Sequence, residues 1–335
     1  MEKPHNMSSG SVTNKSNMKN FLKYFIITFC VGLVVITPIS FIMGSVSKIQ
    51  IFGETETNLM DEMPLLIDKE SRFFEAFQDK NRINVLLLGI NDNLADTIMV
   101  ASFDYDAKHV DLISIPRDTY YYREKYDNPA AFKINAIYKH TKKPLETAIV
   151  VSEILLGMPL HCYAIVDYKG IEKIVDTMGG VPMDIPFNMK YSDITDKPPL
   201  YIDIDKGYQV LDGEHAVQFL RYRKGYTEGD IGRIKAQQKF MKSAFKQMLG
   251  FDLPKISKVI FQNVDSDITL STAMKISAKA VGMNSEDIET YIMPHTLQEE
   301  APYYVYPDSE GIAELITDIY SIESEIDAGG AVEDE

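Results

Sequence analysis

The sequence contains few cysteines, and this scarcity excludes two classes of protein. Only two occur in 335 residues, Cys30 in a long apolar run and Cys162 in a strand-like segment. The first lies in a stretch of membrane-spanning length, so the two cannot pair within one domain. A small scaffold held together by disulfides is therefore excluded. Neither cysteine has zinc-ligand spacing with a histidine, so no zinc site is expected.

Basic residues are also in short supply. There are 34 Lys and Arg against 49 Asp and Glu, which gives a net charge of −15. This balance argues against a nucleic-acid partner and makes any local group of arginines more informative. Walker loops, nucleophile elbows of the Gly-x-Ser-x-Gly type and His-Glu-x-x-His zinc motifs are missing from the sequence as well.

One hydrophobic run, Phe25–Met43, carries no charge and has about the ~20 residues that a bilayer span needs. A cleaved signal peptide would have a shorter apolar core of ~7–15 residues and a small-residue cleavage site. We therefore expect an uncleaved anchor. Lys15, Lys19 and Lys23 precede the run, which places the N-terminus in the cytoplasm and the rest of the chain outside the cell membrane.

Composition and the alternation of strand-like and helical segments predict an α/β fold, arranged as an α-β-α layered domain. The expected organisation is a cytoplasmic tail at 1–22, an anchor at 23–46, a stalk at 47–81, a catalytic domain at 82–250 and a C-terminal extension at 251–335 with a disordered acidic end. ATP is scarce outside the cell, so an exterior enzyme needs a substrate that is already activated.

A strand-like run ends at Pro116 and is followed directly by Arg117 and Asp118. Proline ends the hydrogen-bond ladder, and residues at strand ends of α/β folds often carry the chemistry. The guanidinium suits phosphate, and the carboxylate offers hard oxygen for a divalent cation. The alternative is a surface ion pair at a turn.

Asp96 precedes the strand predicted at Thr97–Phe103, and antiparallel pairing would bring it close to Asp118. Two carboxylates at one sheet end can hold Mg²⁺ together with a substrate diphosphate. Asp92 is a third candidate ligand. The alternative for Asp96 is a turn cap.

Arg221, Arg223 and Arg233 form a second basic group, and Arg233 falls in the first turn of a helix that Asp230 begins. A helix N-terminus already favours anions, so an arginine there is unfavourable unless an anion binds. The alternative is a solvated basic face paired with Glu228 and Asp230.

Nine ordered segments between Ile83 and Leu249 resemble the LytR-CpsA-Psr family of bacterial cell-envelope proteins. They are Asn84–Gly89, Ala95–Met99, Leu112–Tyr120, Lys133–Ala136, Leu155–Gly157, Val175–Val181, Leu211–Gly213, Arg221–Arg223, and Asp230–Arg233 with Gln237–Gln238. The resemblance implies a central mixed sheet, one N-terminal anchor, and transfer of a teichoic acid or capsular polysaccharide from undecaprenyl diphosphate to peptidoglycan. It implies Mg²⁺ or Mn²⁺ as cofactor and the membrane as a partner surface.

The resemblance also implies roles for individual residues. Asp96, Arg117 and Asp118 would form the catalytic centre, and Asp96, Asp118 and Asp92 would hold the metal. The diphosphate would be bound by Arg117, Lys133, Arg221, Arg223 and Arg233.

The sequence departs from the family pattern at four positions. Asn91 replaces an aspartate, Leu94-Ala95 replaces Arg-Ser, and Ala236 replaces an arginine. Each change removes a charge or a polar group from the expected site. Two further functions therefore stay open: a weak or inactive protein that binds polyprenyl diphosphate-linked polymer or scaffolds envelope assembly, and a diphosphate hydrolase.

Overall fold

The computed structural model describes residues 59–196, 199–249, 259–260, 262–280 and 282–322. The anchor expected at Phe25–Met43 lies outside these residues. Among the helices of the described part, none has the length and apolar character that a bilayer crossing requires.

Twelve strands are found in the described residues. They are β1 (Arg82–Asn91), β2 (Leu94–Asp104), β3 (His109–Ile115), β4 (Cys162–Asp167), β5 (Val181–Ile185), β6 (Met189–Asp193), β7 (Leu200–Ile204), β8 (Gly207–Leu211), β9 (Val264–Ser266), β10 (Ile288–Ile292), β11 (His295–Leu297) and β12 (Val305–Pro307).

Six of these strands form the central sheet, in the order β10-β3-β2-β1-β4-β9. Strands β1, β2 and β3 are antiparallel neighbours, whereas β4 runs parallel to β1 and β10 parallel to β3. The sheet is therefore mixed, as the family resemblance implied. The other strands make three small antiparallel pairs, β5 with β8, β6 with β7 and β11 with β12.

The eight helices are α1 (Leu59–Glu62), α2 (Asn135–Thr141), α3 (Pro144–Ile154), α4 (Tyr168–Thr177), α5 (Gly213–Arg221), α6 (Asp230–Leu249), α7 (Leu270–Lys279) and α8 (Ser309–Ile319), counted over the described residues. The sequence pattern also predicts a helix near Pro254–Phe261, and most of that range lies outside the described residues.

Alternate side chains of β1 enter cores on opposite faces of the sheet, as the two-residue period of a strand requires. Leu86 and Leu88 join the main core, which α3 and α8 cover. Val85 joins a smaller cluster on the other face, together with buried Cys162. A separate core fills the space between the β5–β8 and β6–β7 pairs and helices α5 and α6. Both faces of the sheet are thus covered.

Residues at both ends of the described chain complete this domain. Leu59, Phe73 and Phe77, from the segment expected to be a stalk, are buried in the main core. At the other end, β10 extends the sheet beside β3, and Ile316 of α8 is fully buried in the same core. The sheet domain therefore uses residues on both sides of the range 82–250.

A substitution at Gly157 would show how tightly residues 66–67 pack against the domain. It has φ +86°, and a Cβ there would lie 2.9 Å from the Ile67 Cβ and 3.0 Å from the Leu66 carbonyl oxygen. We expect Gly157→Ala to lower the free energy of unfolding by about 2–4 kcal/mol, because backbone strain and overpacking add. Urea denaturation of the full chain measures this.

Gly282→Ala is the matched control. Gly282 has φ +88° and nothing within 4 Å of a Cβ, so only the backbone strain of about 1–2 kcal/mol applies. Equal losses of unfolding free energy for the two variants would show that residues 66–67 do not pack closely against Gly157.

Candidate active site

The predicted catalytic residues meet where β2, β3 and helix α6 come together. A β-bulge places Asp96: Gly89 pairs with Thr97 and Ile90 with Ala95, so Asp96 lies opposite no residue of β1. Bulges of this kind redirect a side chain next to active sites. Asp96 was expected before the strand, but it lies within β2, because the turn at Asp92 and Asn93 lets the hairpin start at Leu94.

The backbone of Asp92 and Asn93 has the conformation of a tight hairpin turn. Asp92 and Asn93 have φ of 46° and 72°, the positive values that both central residues of a type I′ hairpin turn need. Asp92 is therefore exposed at the hairpin tip. No ion pair joins it to any described residue of the site.

Arg117 is surrounded by three carboxylates. Its Nη1 lies 2.6 Å from Asp96 Oδ1, and its Nε lies 3.8 Å from Asp118 Oδ2 and 3.9 Å from Asp230 Oδ1. Burial disfavours the charged guanidinium, but the charges of Asp96, Asp230 and Asp118 outweigh burial and raise the pKa of Arg117. The side chain is thus a fixed cation inside a ring of anions.

Arg233 is a second, more deeply buried cation. It is 3% exposed, and its Nη2 lies 3.0 Å from Asp230 Oδ1 within the first turn of α6. Burial, followed by the nearby charge of Arg117, lowers the pKa of Arg233 despite the attraction of Asp230. A cation at this helix end also opposes the helix dipole. Two arginines and three carboxylates thus share this cluster, and within it the charged form of Arg233 is disfavoured chiefly by burial.

Two donors of this cluster have no hydrogen-bond acceptor among the described residues. They are the buried Nε atoms of Arg117 and Arg233. An unsatisfied buried donor costs about 1–3 kcal/mol, and more for a charged group. An anion that supplies acceptor oxygens here would remove this cost.

The other three predicted cations, Lys133, Arg221 and Arg223, differ in the contacts that they make. Lys133 Nζ lies 2.9 Å from Asp118 Oδ1. Arg221 forms an ion pair with Asp196, and its guanidinium lies 5.0 Å above the Tyr168 ring. Arg223 is exposed and forms no ion pair with a described residue, although its charge contributes to the lowered pKa of Arg233.

Two site residues escaped the sequence analysis. Asp230 was interpreted as a helix start and as one partner of a solvated basic face, not as a site residue, yet it contacts both Arg117 and Arg233. Tyr168 begins α4 directly after β4, and burial together with the charge of Asp96 raises its pKa to about 12. The position of Tyr168 at the end of a strand parallel to β1 is the signal that could have found it.

The candidate active site contains only part of a metal-ligand set. Asn91 Nδ2 donates to Asp96 Oδ2 at 3.3 Å, so this position adds an amide donor where a carboxylate would add an oxygen ligand. Within the described residues, three ligand atoms that lie within 4.8 Å of one another occur at His109, Asp111 and Glu289 instead. Asp96 and Asp118 still offer the oxygen chemistry that suits Mg²⁺.

A cavity of about 610 Å³ opens at the same end of β1 and β4. Its charged lining consists of three lysines and two aspartates: Lys142, Lys169, Lys173, Asp167 and Asp265. The lining of this cavity is therefore of mixed charge.

Comparison with known proteins agrees with this architecture. The model of the LytR-CpsA-Psr family matches residues 50–319, which confirms the resemblance and extends it well beyond the motif-bearing region. The polyisoprenyl-teichoic acid–peptidoglycan teichoic acid transferase TagV of Bacillus subtilis is 26% identical over 251 residues, which are 70% of this chain and 63% of TagV. The regulatory protein MsrR of Staphylococcus aureus is 26% identical over 68% of each chain.

Solved structures show the same fold. The crystal structure of B. subtilis TagV superposes with a TM-score of 0.61 at 26% identity, covering 74% of this chain and 100% of that one. TagT bound to LIIa-WTA gives a TM-score of 0.60 at 20% identity and covers 79% of this chain and 98% of TagT.

Tyr168 gives the site a measurable pH dependence. Its pKa is about 12 against an ordinary 10.0, so above pH 10 the unfolded chain loses this proton while the folded chain keeps it. Stability therefore falls as pH rises from 10 to 12, by up to about 2–3 kcal/mol from this residue. We expect Tyr168→Phe to make the fall in unfolding free energy over this range shallower by that amount.

The control is Tyr208→Phe, since Tyr208 is 76% exposed on β8, and it should leave the pH profile unchanged. Identical profiles for wild type and Tyr168→Phe would mean that the Tyr168 hydroxyl is solvated.

Proposed function

Because the chain belongs to the LytR-CpsA-Psr family, we propose that it transfers a glycopolymer of the teichoic acid or capsular type from undecaprenyl diphosphate to peptidoglycan. The domain would act outside the cell membrane, held by the anchor expected at Phe25–Met43. TagV, whose name describes transfer of teichoic acid to peptidoglycan, supports this class of reaction.

The two acceptor-free Nε atoms of Arg117 and Arg233 carry this proposal. They belong to one buried cluster, and both are charged donors that a phosphate oxygen would satisfy. Arg221 and Arg223 lie toward the surface beside this cluster, where they would contact the outer phosphate.

The reaction needs no nucleotide, because the diphosphate linkage stores the energy. An acceptor hydroxyl attacks the phosphorus that carries the polymer, and the bond to the bridging oxygen breaks. Undecaprenyl phosphate leaves with the bridging oxygen and its electron pair, and the hydroxyl proton passes to a carboxylate of the site. The arginines hold the charge that develops on the phosphoryl oxygens.

Mg²⁺ fits the oxygen donors of the site. Asp96 and Asp118 would hold it, and it would supply further neutralisation of the diphosphate charge. In the structure Arg117 compensates both carboxylates, so we infer that metal and diphosphate bind together rather than separately.

A polymer-binding protein without turnover is the second candidate, and Asn91 is the observation that favours it. Its amide donates to Asp96, so the site has one carboxylate fewer for a metal. Incubation of purified full-length chain with polyprenyl diphosphate-linked polymer and a peptidoglycan acceptor decides between the two. Metal-dependent transfer supports the enzyme, binding without turnover supports the second candidate, and release of polymer into water without acceptor indicates a hydrolase.

Removal of single arginines should reduce transfer sharply. We expect Arg117→Ala or Arg223→Ala to lower the rate about ten- to a hundredfold, because a charge-assisted contact to a phosphate contributes roughly 1.5–3 kcal/mol. Initial rates with labelled donor measure this. Lys235→Ala is the control, since Lys235 is half exposed and pairs only with Glu228 at 2.7 Å in the described structure. Normal carrier binding by Arg117→Ala would assign Arg117 to structural ion pairs, and normal binding by Arg223→Ala would remove Arg223 from the phosphate site.

Restoring the missing carboxylate should alter metal binding. We expect the wild-type chain to bind Mg²⁺ poorly alone and well with a diphosphate present, and Asn91→Asp to strengthen binding in the free chain. Calorimetry with and without inorganic diphosphate tests both statements. Asn93→Asp, on the exposed turn next to Asp92, adds the same charge outside the site and serves as control. Tight Mg²⁺ binding by the unliganded wild type would contradict the expectation.

A further inference from the structure

An aromatic surface borders the arginine–carboxylate cluster, and no step of the proposed reaction uses it. It consists of Tyr120, Tyr122, Phe132, Tyr304 and Tyr306, called the aromatic platform below. The Tyr120 ring lies 4.9 Å from that of Tyr304, 5.3 Å from that of Tyr306 and 6.1 Å from that of Phe132, between centroids. Tyr122 lies 5.6 Å from Phe132. The rings therefore form one continuous surface.

Backbone hydrogen bonds join this platform to the site. The Tyr120 amide donates to the Val305 carbonyl oxygen at 2.8 Å, and the Val305 amide donates to the Asp118 carbonyl oxygen at 3.1 Å. Tyr120 is also paired across the chain with Lys133, whose Nζ lies 2.9 Å from Asp118 Oδ1. The platform thus begins two residues from Asp118 and is fixed in position relative to it.

One ring of the platform is buried and hydrogen-bonded, whereas two others are exposed to solvent. Tyr304 is 7% exposed, and its hydroxyl donates to the Pro129 carbonyl oxygen at 2.9 Å. By contrast, Tyr122 is 62% exposed and Tyr306 is 38% exposed. Large rigid rings that stay in water beside a reaction centre are typical of a binding surface.

We propose that the aromatic platform binds the sugar backbone of the acceptor glycan, a neutral chain of N-acetylated hexosamines. This inference rests on the transferase function proposed above. Pyranose rings present C–H groups on one face, and these stack on the negative face of an aromatic ring. Tyrosine supplies such area with little loss of conformational entropy, and its hydroxyl can bond to sugar hydroxyls.

The charges around the platform favour a neutral glycan over the anionic polymer of the donor. Two basic and five acidic residues flank the platform in sequence: Arg123, Glu124, Lys125, Asp127, Glu299, Glu300 and Asp308. Because Lys133 is paired with Asp118, it does not change this balance. A polyphosphate chain would be repelled here and drawn to the arginines instead. Donor and acceptor would therefore approach Asp118 from chemically different sides.

Calorimetric titration of the full-length chain with a β-1,4-linked N-acetylglucosamine tetrasaccharide tests this proposal. We expect wild type to bind, and Tyr122→Ala and Tyr306→Ala each to bind at least about tenfold more weakly, as for aromatic residues central to an interface. Tyr208→Ala is the matched control, since Tyr208 is a 76% exposed tyrosine on β8, outside the platform. Its affinity should equal that of wild type. Thermal unfolding checks that all three variants fold.

Three results would overturn the proposal. The first is no tetrasaccharide binding by wild type, and the second is equal binding by all variants. The third is a platform that serves another partner, seen as concentration-dependent self-association or adsorption to phosphatidylglycerol vesicles that Tyr122→Ala abolishes while tetrasaccharide affinity stays the same. The titration contains no diphosphate donor, so it can fail while the transfer reaction stands, and it can succeed if that reaction is never observed.

Discussion

The buried charge of Arg117 is the constraint on which the site depends. A guanidinium that is largely withdrawn from water must be surrounded by acceptors, and the three carboxylates nearest to it belong to three different parts of the fold. Asp96 comes from the bulge in β2, Asp118 from the turn after β3 and Asp230 from the start of α6. The position of helix α6 against the sheet end is therefore tied to the electrostatics of one side chain.

Much of the fold could be predicted because its signals are local. The apolar runs that form β1 to β4 are short, and each ends at a glycine, a proline or a polar turn, so their existence follows from pattern alone. Strands β6, β7 and β8 were not predicted from the sequence. They are largely exposed and polar on one side, and they gain a core only because β6 pairs with β7, β8 pairs with β5 and helices cover both pairs. A local sequence pattern cannot predict a strand that depends on such distant contacts.

The residues of the candidate site likewise divide into those that the local sequence predicts and those that it does not. Arg117 and Asp118 stand out because Pro116 ends the strand beside them, which is a local event. Tyr168 and Asp230 could not be assigned in this way, since both look like ordinary helix starts. Tyr168 lies near Asp96, and Asp230 links its neighbour Arg233 to Arg117, which is more than a hundred residues earlier in the sequence. The bulge at Asp96 depends on the register of two strands, and register is a property of the pair rather than of either sequence.

The pairing of β10 with β3 has a consequence for how the protein folds. Strand β3 ends at Ile115, and its edge partner, β10, begins at Ile288. During synthesis from the N-terminus the edge of β3 therefore stays unpaired until β10, about 170 residues later in the sequence, has been made. Contacts so distant in sequence slow folding, and an open strand edge can pair with other chains in the meantime. The edge of β3 is therefore a site of aggregation risk in the folding chain until β10 covers it.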